Sequence, residues 1–226
     1  MKKASFSNIT SLPGPILITG HTGFKGSWLS TLLNLQGLRA VGYSLEPQTG
    51  SLFDTGSFGG RIPEHFGDLR DKANLEAFFQ TYKPSAVIHL AAKSLVLQSY
   101  ESPRETFDVN VMGTVNVLEA AFNTKSVEAV VVVTSDKVYR NEENEESYSE
   151  SHPLQGRDPY SASKVATEAV VSCWQHLAAI GSGPKLVAVR AGNVIGGGDS
   201  AASRLLPDIV KGFRNRNKVV IRNPSA

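Results

Sequence analysis

An α/β fold, with a doubly wound, mostly parallel sheet and helices on both faces, is expected from three features of this 226-residue chain. Short apolar runs alternate with longer amphipathic ones, so strands must be joined by helical crossovers. The first apolar run enters a glycine-rich turn that opens a helix. Several runs, 129–134 among them, do not alternate apolar with polar residues, which marks strands covered on both faces.

Residues 15–19 read as the first strand. Residues 24–35 follow as a helix, with Phe24, Trp28, Leu32 and Leu35 at helical spacing and Gly37 as C-cap. Residues 40–45 are a second strand, and 46–60, rich in Gly, Ser and Thr, a loop. A helix over 69–82 stops at Lys83-Pro84, with Asp68 as a natural N-cap. Residues 86–91 and 129–134 are two further buried strands, separated by a helix within 104–122. Asp158-Pro159 supplies an N-cap and a first-turn proline for a long helix over 160–180, and 185–190 is another strand. After Arg190 the pattern changes to a glycine-rich loop (192–199), a short helix (205–213) and a strand (218–222). The expected division is a dinucleotide-binding, Rossmann-type domain over 1–190 and the beginning of a substrate-binding lobe over 191–226. That lobe reads as cut short, since a final strand there would lack a partner.

Composition narrows the function classes. Lys and Arg total 23 against 21 Asp and Glu, net +2, which is not the basic footprint of a nucleic-acid-binding domain. A single cysteine, Cys173, excludes an internal disulfide, and no Cys/His pair has zinc-ligand spacing, so no metal is expected. No apolar run is long enough for a bilayer, and residues 1–11 lack the apolar stretch of a signal peptide. A cytoplasmic protein without membrane or nucleic-acid partners is the expectation.

Three constellations carry chemistry. Gly20-His-Thr-Gly23-Phe-Lys-Gly26 follows the first strand: three glycines let the backbone approach a pyrophosphate, and the helix start behind them offers free N–H groups. Lys25 adds a cation, or is a solvated side chain. Ser44 and Glu46 stand near the end of the second strand with no arginine close behind, which favours NAD over NADP. Asp68 is positioned to bond an adenine, or only to cap its helix. In the second constellation, Tyr160 and Lys164 are four apart on a helix and share a face. An ammonium about 4 Å from a phenol at an effective dielectric of ~20 contributes ~4 kcal/mol, roughly three pKa units, enough to draw a tyrosine towards neutrality as a proton acceptor. The third, Thr134-Ser135-Asp136-Lys137, sets a hydroxyl, an acid and an amine at the carboxyl end of a buried strand, where open α/β sheets hold their chemistry. The plain alternative is a solvated turn.

The glycine loop, Asn110-Val-Met-Gly-Thr114, Tyr160 and Lys164 resemble the extended short-chain dehydrogenase/reductases that act on nucleotide sugars. Ser135-Asp136-Lys137, Arg190-Ala-Gly-Asn-Val-Ile-Gly-Gly-Gly-Asp199, Arg204-Leu-Leu-Pro-Asp208 and Ile221-Arg-Asn-Pro224 are similar to the CDP-glucose branch of the 4,6-dehydratases. The resemblance implies NAD as cofactor, CDP-glucose as substrate and a homodimer or higher homo-oligomer. Tyr160, with Lys164 and Ser135, would remove the C4 hydroxyl proton as hydride leaves C4. Lys137, in the place of a glutamate of relatives, would take the C5 proton, and Asp136 would protonate the departing C6 hydroxyl. As a base Lys137 must be neutral, which requires burial or nearby cations. Gly20, Thr22, Gly23, Phe24, Lys25, Gly26, Ser44, Asp68, Leu69, Leu90, Ala91, Ala92, Asn110, Thr134, Tyr160 and Lys164 would border the cofactor. Asn193, Arg204 and Arg222 would face the sugar nucleotide, since guanidinium groups fork onto diphosphates. Lys93, Ser94 and Leu97 depart from the residues common in relatives. An epimerase or reductase of the same fold, or a truncated dinucleotide-binding module without turnover, stays open; the Asp136-Lys137 pair opposes the first and the Ser135/Tyr160/Lys164 set the second.

Overall fold

In the computed structural model, which describes residues 12–141, 147–201 and 204–221, six strands form one sheet in the order β3-β2-β1-β4-β5-β6. They are β1 (Ile16–Thr19), β2 (Ala40–Ser44), β3 (Glu64–Phe66), β4 (Ala86–His89), β5 (Ala129–Val133) and β6 (Lys185–Val189), and every pairing is parallel. The order reverses between β1 and β4, whose ends Thr19 and His89 lie opposite one another, so a ligand crevice opens beyond those two residues.

The helices are α1 (Phe24–Leu35), α2 (Leu52–Thr55), α3 (Lys72–Tyr82), α4 (Val96–Glu101), α5 (Pro103–Phe107), α6 (Gly113–Phe122), α7 (Pro159–Gly181) and α8 (Leu205–Asn215). They flank both faces. Leu17 joins Val87, Val130 and Leu186 in a core with Phe79 of α3, Val117 of α6 and Val171 of α7. Ile16 and Ile18, one pleat away, pack with Leu33 of α1.

The structure corrects several expectations. Within 46–60, Ser51 accepts a hydrogen bond from the Asp54 amide and starts α2. The third helix begins at Lys72, because Asp71, not Asp68, accepts the capping bond from Asn74. The helix expected within 104–122 is α5, a π-helical turn (Asp108–Met112) and α6 in one run. β3 and α4 are too short to stand out by periodicity. β4, β5 and β6 are not covered on both faces: burial alternates along them, and Val187 and Val189 are exposed. Residues 218–221 form no strand with the described residues. Val219 packs onto α8 at Gly212 instead, and a strand exists only where a neighbour takes its hydrogen bonds. Arg222 lies outside the described residues.

Candidate active site

The turn from β1 to α1 is made of backbone. Gly20 has φ +74°, and a Cβ there would stand 2.7 Å from the Ala91 nitrogen beyond β4. A Cβ on Gly26 would stand 2.1 Å from the Gly20 carbonyl oxygen, so α1 seats against the loop only where this residue has no side chain. Gly23 is the N-cap and gives no side-chain bond, which leaves the first-turn N–H groups for an anion at the positive end of the helix. The cradle fits a dinucleotide pyrophosphate. Thr22 Oγ1 and Ser44 Oγ meet at 2.7 Å at the end of β2, and Thr22 donates to the Leu45 carbonyl at 3.1 Å. His21 turns away into the protein, its ring wholly buried against Phe53 and Phe66 in room left by Gly42. Its Nε2 is 3.3 Å from Glu64 Oε2, yet burial holds its pKa below the ordinary value against the pull of that carboxylate.

The β5–α7 side is made of side chains. Asp158 accepts from the Ser161 amide at 2.9 Å and Ser161 Oγ returns the bond, a capping box that starts α7 as expected. The helix then lays Tyr160, Ser163, Lys164 and Thr167 along its buried side. Tyr160 and Lys164 share that side, but the expected lowering of the phenol is overturned. Burial pushes the Tyr160 pKa up, opposed chiefly by a hydrogen bond with Ser135. The Lys164 ammonium donates instead to the Val133 carbonyl at 3.3 Å, and desolvation of the phenolate decides the direction. Lys164 is itself driven down to about 8, by burial first and by Lys25 second, with Glu168 opposing.

Thr134 and Asp136 extend the β5–β6 ladder, their amides donating to the carbonyls of Val189 (2.8 Å) and Ala191 (3.0 Å). Ser135 is buried; its Oγ accepts from the Lys137 amide at 3.2 Å and donates to Asp136 Oδ1 at 3.1 Å. Asp136 and Lys137 are exposed.

Beneath the crevice runs a buried polar brace. Asn110, on the π turn, accepts from the Lys93 amide (2.8 Å) and donates to Lys93 O (3.1 Å) and Ser163 Oγ (2.8 Å). Its carbonyl takes the hydroxyls of Thr114 and Thr167. His89 bridges Thr19 (2.6 Å) and Thr114 (3.0 Å), and burial with the Lys164 charge lowers its pKa to about 3, so it stays neutral. Leu90, Ala91 and Ala92 are partly exposed beside Gly20. The Leu69 side chain sits in the core against Gly113. Asp68 pairs with Arg70 at 2.6 Å, whose hydrogen bond holds the carboxyl below its usual range.

Arg204 bonds Asp199 at 3.0 Å, and its charge reaches both Lys25 and Tyr160. Burial first and Arg204 second lower the Lys25 pKa. Cations from the glycine loop, α7 and the approach to α8 therefore act on one crevice. The 192–199 loop lies over α1: Trp28 Nε1 donates to Gly197 O at 3.1 Å, and Gly196 rests on Phe24. Asn193 is exposed in that loop.

Glu168 and Arg190 are the residues that sequence reasoning passed over. Arg190 grips both Glu168 carboxylate oxygens at 2.9 Å, and Thr134 Oγ1 donates to one of them at 2.7 Å. The available signal was Glu168's place one turn after Lys164, on the same face of the helix.

Residues 16–224 match the NAD dependent epimerase/dehydratase family. A CDP-glucose 4,6-dehydratase of Salmonella typhimurium is 46% identical over 221 residues, 92% of this chain and 60% of that protein. Among solved structures, a UDP-glucose 4-epimerase of Thermus thermophilus in complex with NAD is 30% identical, with TM-score 0.71 over 84% of this chain and 58% of its own. A dTDP-glucose 4,6-dehydratase of Streptomyces venezuelae with NAD and TYD bound is 25% identical, with TM-score 0.78 over 91% of this chain and 63% of its own. The chain thus spans about 60% of the length of these relatives.

Proposed function

This chain belongs to the NAD dependent epimerase/dehydratase family, and from that premise we propose that it is a nucleotide-sugar 4,6-dehydratase that turns CDP-glucose into CDP-4-keto-6-deoxyglucose with NAD. One juxtaposition carries the reading. Ser135, which acts on the buried Tyr160 phenol, and the Lys164 ammonium stand at the carboxyl end of β5, and Asp136 and Lys137 open to solvent directly beside them. Epimerases and reductases of this fold need no second acid–base pair for C5 and C6. The 46% identity to the Salmonella enzyme supports CDP-glucose over other sugar nucleotides.

In this reading the first-turn amides of Phe24, Lys25 and Gly26 hold the pyrophosphate. Gly20 and Gly23, whose own amides are spent on the Tyr43 and Gly20 carbonyls, give it a close approach. Thr22 and Ser44 hold the ribose, and Asp68 the adenine. Leu69 contributes backbone only, and Leu90, Ala91, Ala92, Asn110 and Thr134 wall the crevice. Asn193, Arg204 and Arg222 are assigned to the binding of the sugar nucleotide. When bound, NAD supplies the reversible hydride acceptor for C4 and donor for C6. Tyr160 takes the C4 hydroxyl proton, with Ser135 Oγ and the Lys164 ammonium stabilising the phenolate that burial alone disfavours. The 4-ketone acidifies C5; Lys137 removes that proton, Asp136 gives one to the departing C6 hydroxyl, and Lys137 returns its proton to C5 as hydride is delivered to C6. Closure of the substrate over the exposed Lys137 would supply the desolvation that a neutral amine requires.

Residues 1–190 act as the NAD-binding domain, and 191–226 begin the substrate-binding region. We place the protein in the cytoplasm; no described helix is long and apolar enough to cross a membrane. A homo-oligomer is supported by the exposed Tyr100, Phe107, Met112 and Leu177 on α4–α7 and the π turn. The test is incubation of the full chain with NAD and, separately, CDP-, dTDP- and UDP-glucose. A 4-keto-6-deoxy product formed fastest from CDP-glucose is expected. A C4-epimerised sugar, or faster turnover of another nucleotide, overturns the assignment.

A further inference from the structure

The two flanks of the Ser135–Lys137 segment are held by a single ion pair. On its near side, Thr134 Oγ1 donates to Glu168 Oε1 at 2.7 Å. On its far side, the Arg190 guanidinium lies 4.8 Å from the centre of the Tyr139 ring, and Tyr139 follows directly after the 3₁₀ turn Asp136–Val138. Glu168 and Arg190 join the two sides through two parallel bonds of 2.9 Å, and Arg190 Nη1 also donates to the Glu150 carbonyl at 3.1 Å. Both side chains are largely buried, at 10% and 17% exposure, where such forked pairs are least screened. Burial pushes the Glu168 pKa up, but the bonds from Arg190 and Thr134 outweigh it, so the carboxylate stays charged. The Tyr139 ring is also stacked on Tyr148 at 4.7 Å, which leaves it little freedom.

We propose that the Glu168–Arg190 pair is a positioning device for Asp136 and Lys137, clamping their segment at Thr134 and Tyr139 so that the elimination across C5 and C6 depends on it far more than oxidation at C4, whose Tyr160 and Lys164 are held by α7. The inference rests on the dehydratase reading above. The pair reaches Thr134 and the Glu150 carbonyl by hydrogen bonds and Tyr139 through its ring, with no such contact to Tyr160, and the 3₁₀ turn lies between the two clamped flanks. Arginine is required: lysine keeps the charge beside Glu168, but has neither the fork for the carboxylate nor the plane for the ring.

Two variants of the full chain test this. Arg190→Lys weakens both grips and retains a cation near Glu168 and Lys164. Tyr139→Leu frees only the far flank and leaves the ion pair intact, so it serves if the first fails to fold. Amide exchange at 136–139 is expected to quicken by ~10-fold in both, with 160–167 unchanged. With CDP-glucose and NAD, product formation is expected to fall by ~10- to 100-fold, the size of effect that a misplacement of about 1 Å produces. Absorbance of reduced nicotinamide should meanwhile appear at a rate within about threefold of the parent and then persist. Unaltered exchange, or oxidation and product formation falling in the same proportion, overturns the proposal. A parent chain that makes no 4-keto-6-deoxy sugar overturns the functional reading, and that outcome is visible before any variant is compared.

Discussion

The glycine turn and the β5–α7 face meet at one crevice but are built on different principles. The turn is shaped by what is missing: Gly20 and Gly26 leave no room for a Cβ, and the helix start behind them is bare of a side-chain cap. Across the crevice, the face is shaped by side chains whose behaviour is set by their neighbours. Tyr160 answers to Ser135, Lys164 to Val133 and Glu168, and Asn110 to Lys93 and Ser163. A steric cradle is local and survives being read as a string; an electrostatic site is a property of contacts.

The largest effect should come from the side-chain face. Tyr160→Phe removes the proton acceptor, and oxidation with all later steps should fall together by ~10²–10⁴-fold, NAD affinity holding within a few-fold by titration calorimetry. Lys137→Ala should cost a comparable factor in product but let C4 oxidation proceed; near-normal turnover by that variant would remove Lys137 from the chemistry.

On the backbone side, Gly26→Ala should weaken NAD binding by ~10- to 100-fold, since relieving the overlap with Gly20 O costs about 1–3 kcal/mol of displaced backbone. The tyrosine and the rest of its face should be unmoved. Equal affinity in calorimetry would mean that the turn is not a cradle.

A third comparison uses pH. The native pKa of Lys164 is driven down to about 8 by burial, against ~10.4 in an unfolded chain. Between those values the unfolded chain binds the extra proton, so this group's contribution to stability rises with pH by on the order of 1 kcal/mol per unit; below about 8 its burial penalty is complete and constant. Urea midpoints for the parent and Lys164→Met from pH 7.5 to 10 should therefore diverge in favour of the parent. Parallel curves would show that the ammonium is not desolvated.

The smallest effect is expected at the start of α7. Asp158→Ala removes the capping box and should destabilise the chain by about 1 kcal/mol in urea titration, with NAD binding intact. A loss of binding out of proportion to that cost would show that the cap also shapes the crevice.

Much of the frame was legible in the chain. The strand over 15–19, the helix over 24–35, the cap at Asp158, and the parallel strands near 86–89, 129–133 and 185–189 follow from local patterning and length. The cap expected at Gly37 falls one residue earlier, at Gln36, with Gly37 in the left-handed conformation just after it. Where the reading failed, the deciding group was distant or ambiguous. Asp68 and Asp71 are both plausible caps three residues apart, and the choice fell to Asp71 because Asp68 is held by Arg70. The valine run 129–134 looked doubly buried, although the structure covers one face of β5 and β6 more fully than the other. The strand over 218–222 required a partner that the described residues do not provide.

Order along the chain therefore dictated the alternation of strand and helix, the glycine cradle and the shared helical face of Tyr160 and Lys164, because each depends on steric and periodic rules acting over a few residues. Folding alone decided the charge states and the bracing. Desolvation raised Tyr160 where spacing had promised a lowered phenol, and β6 brought Arg190 to a glutamate 22 residues earlier to close a clamp on the segment between them in space. Such effects depend on burial and on distances between groups remote in sequence, and these exist only once the sheet has assembled.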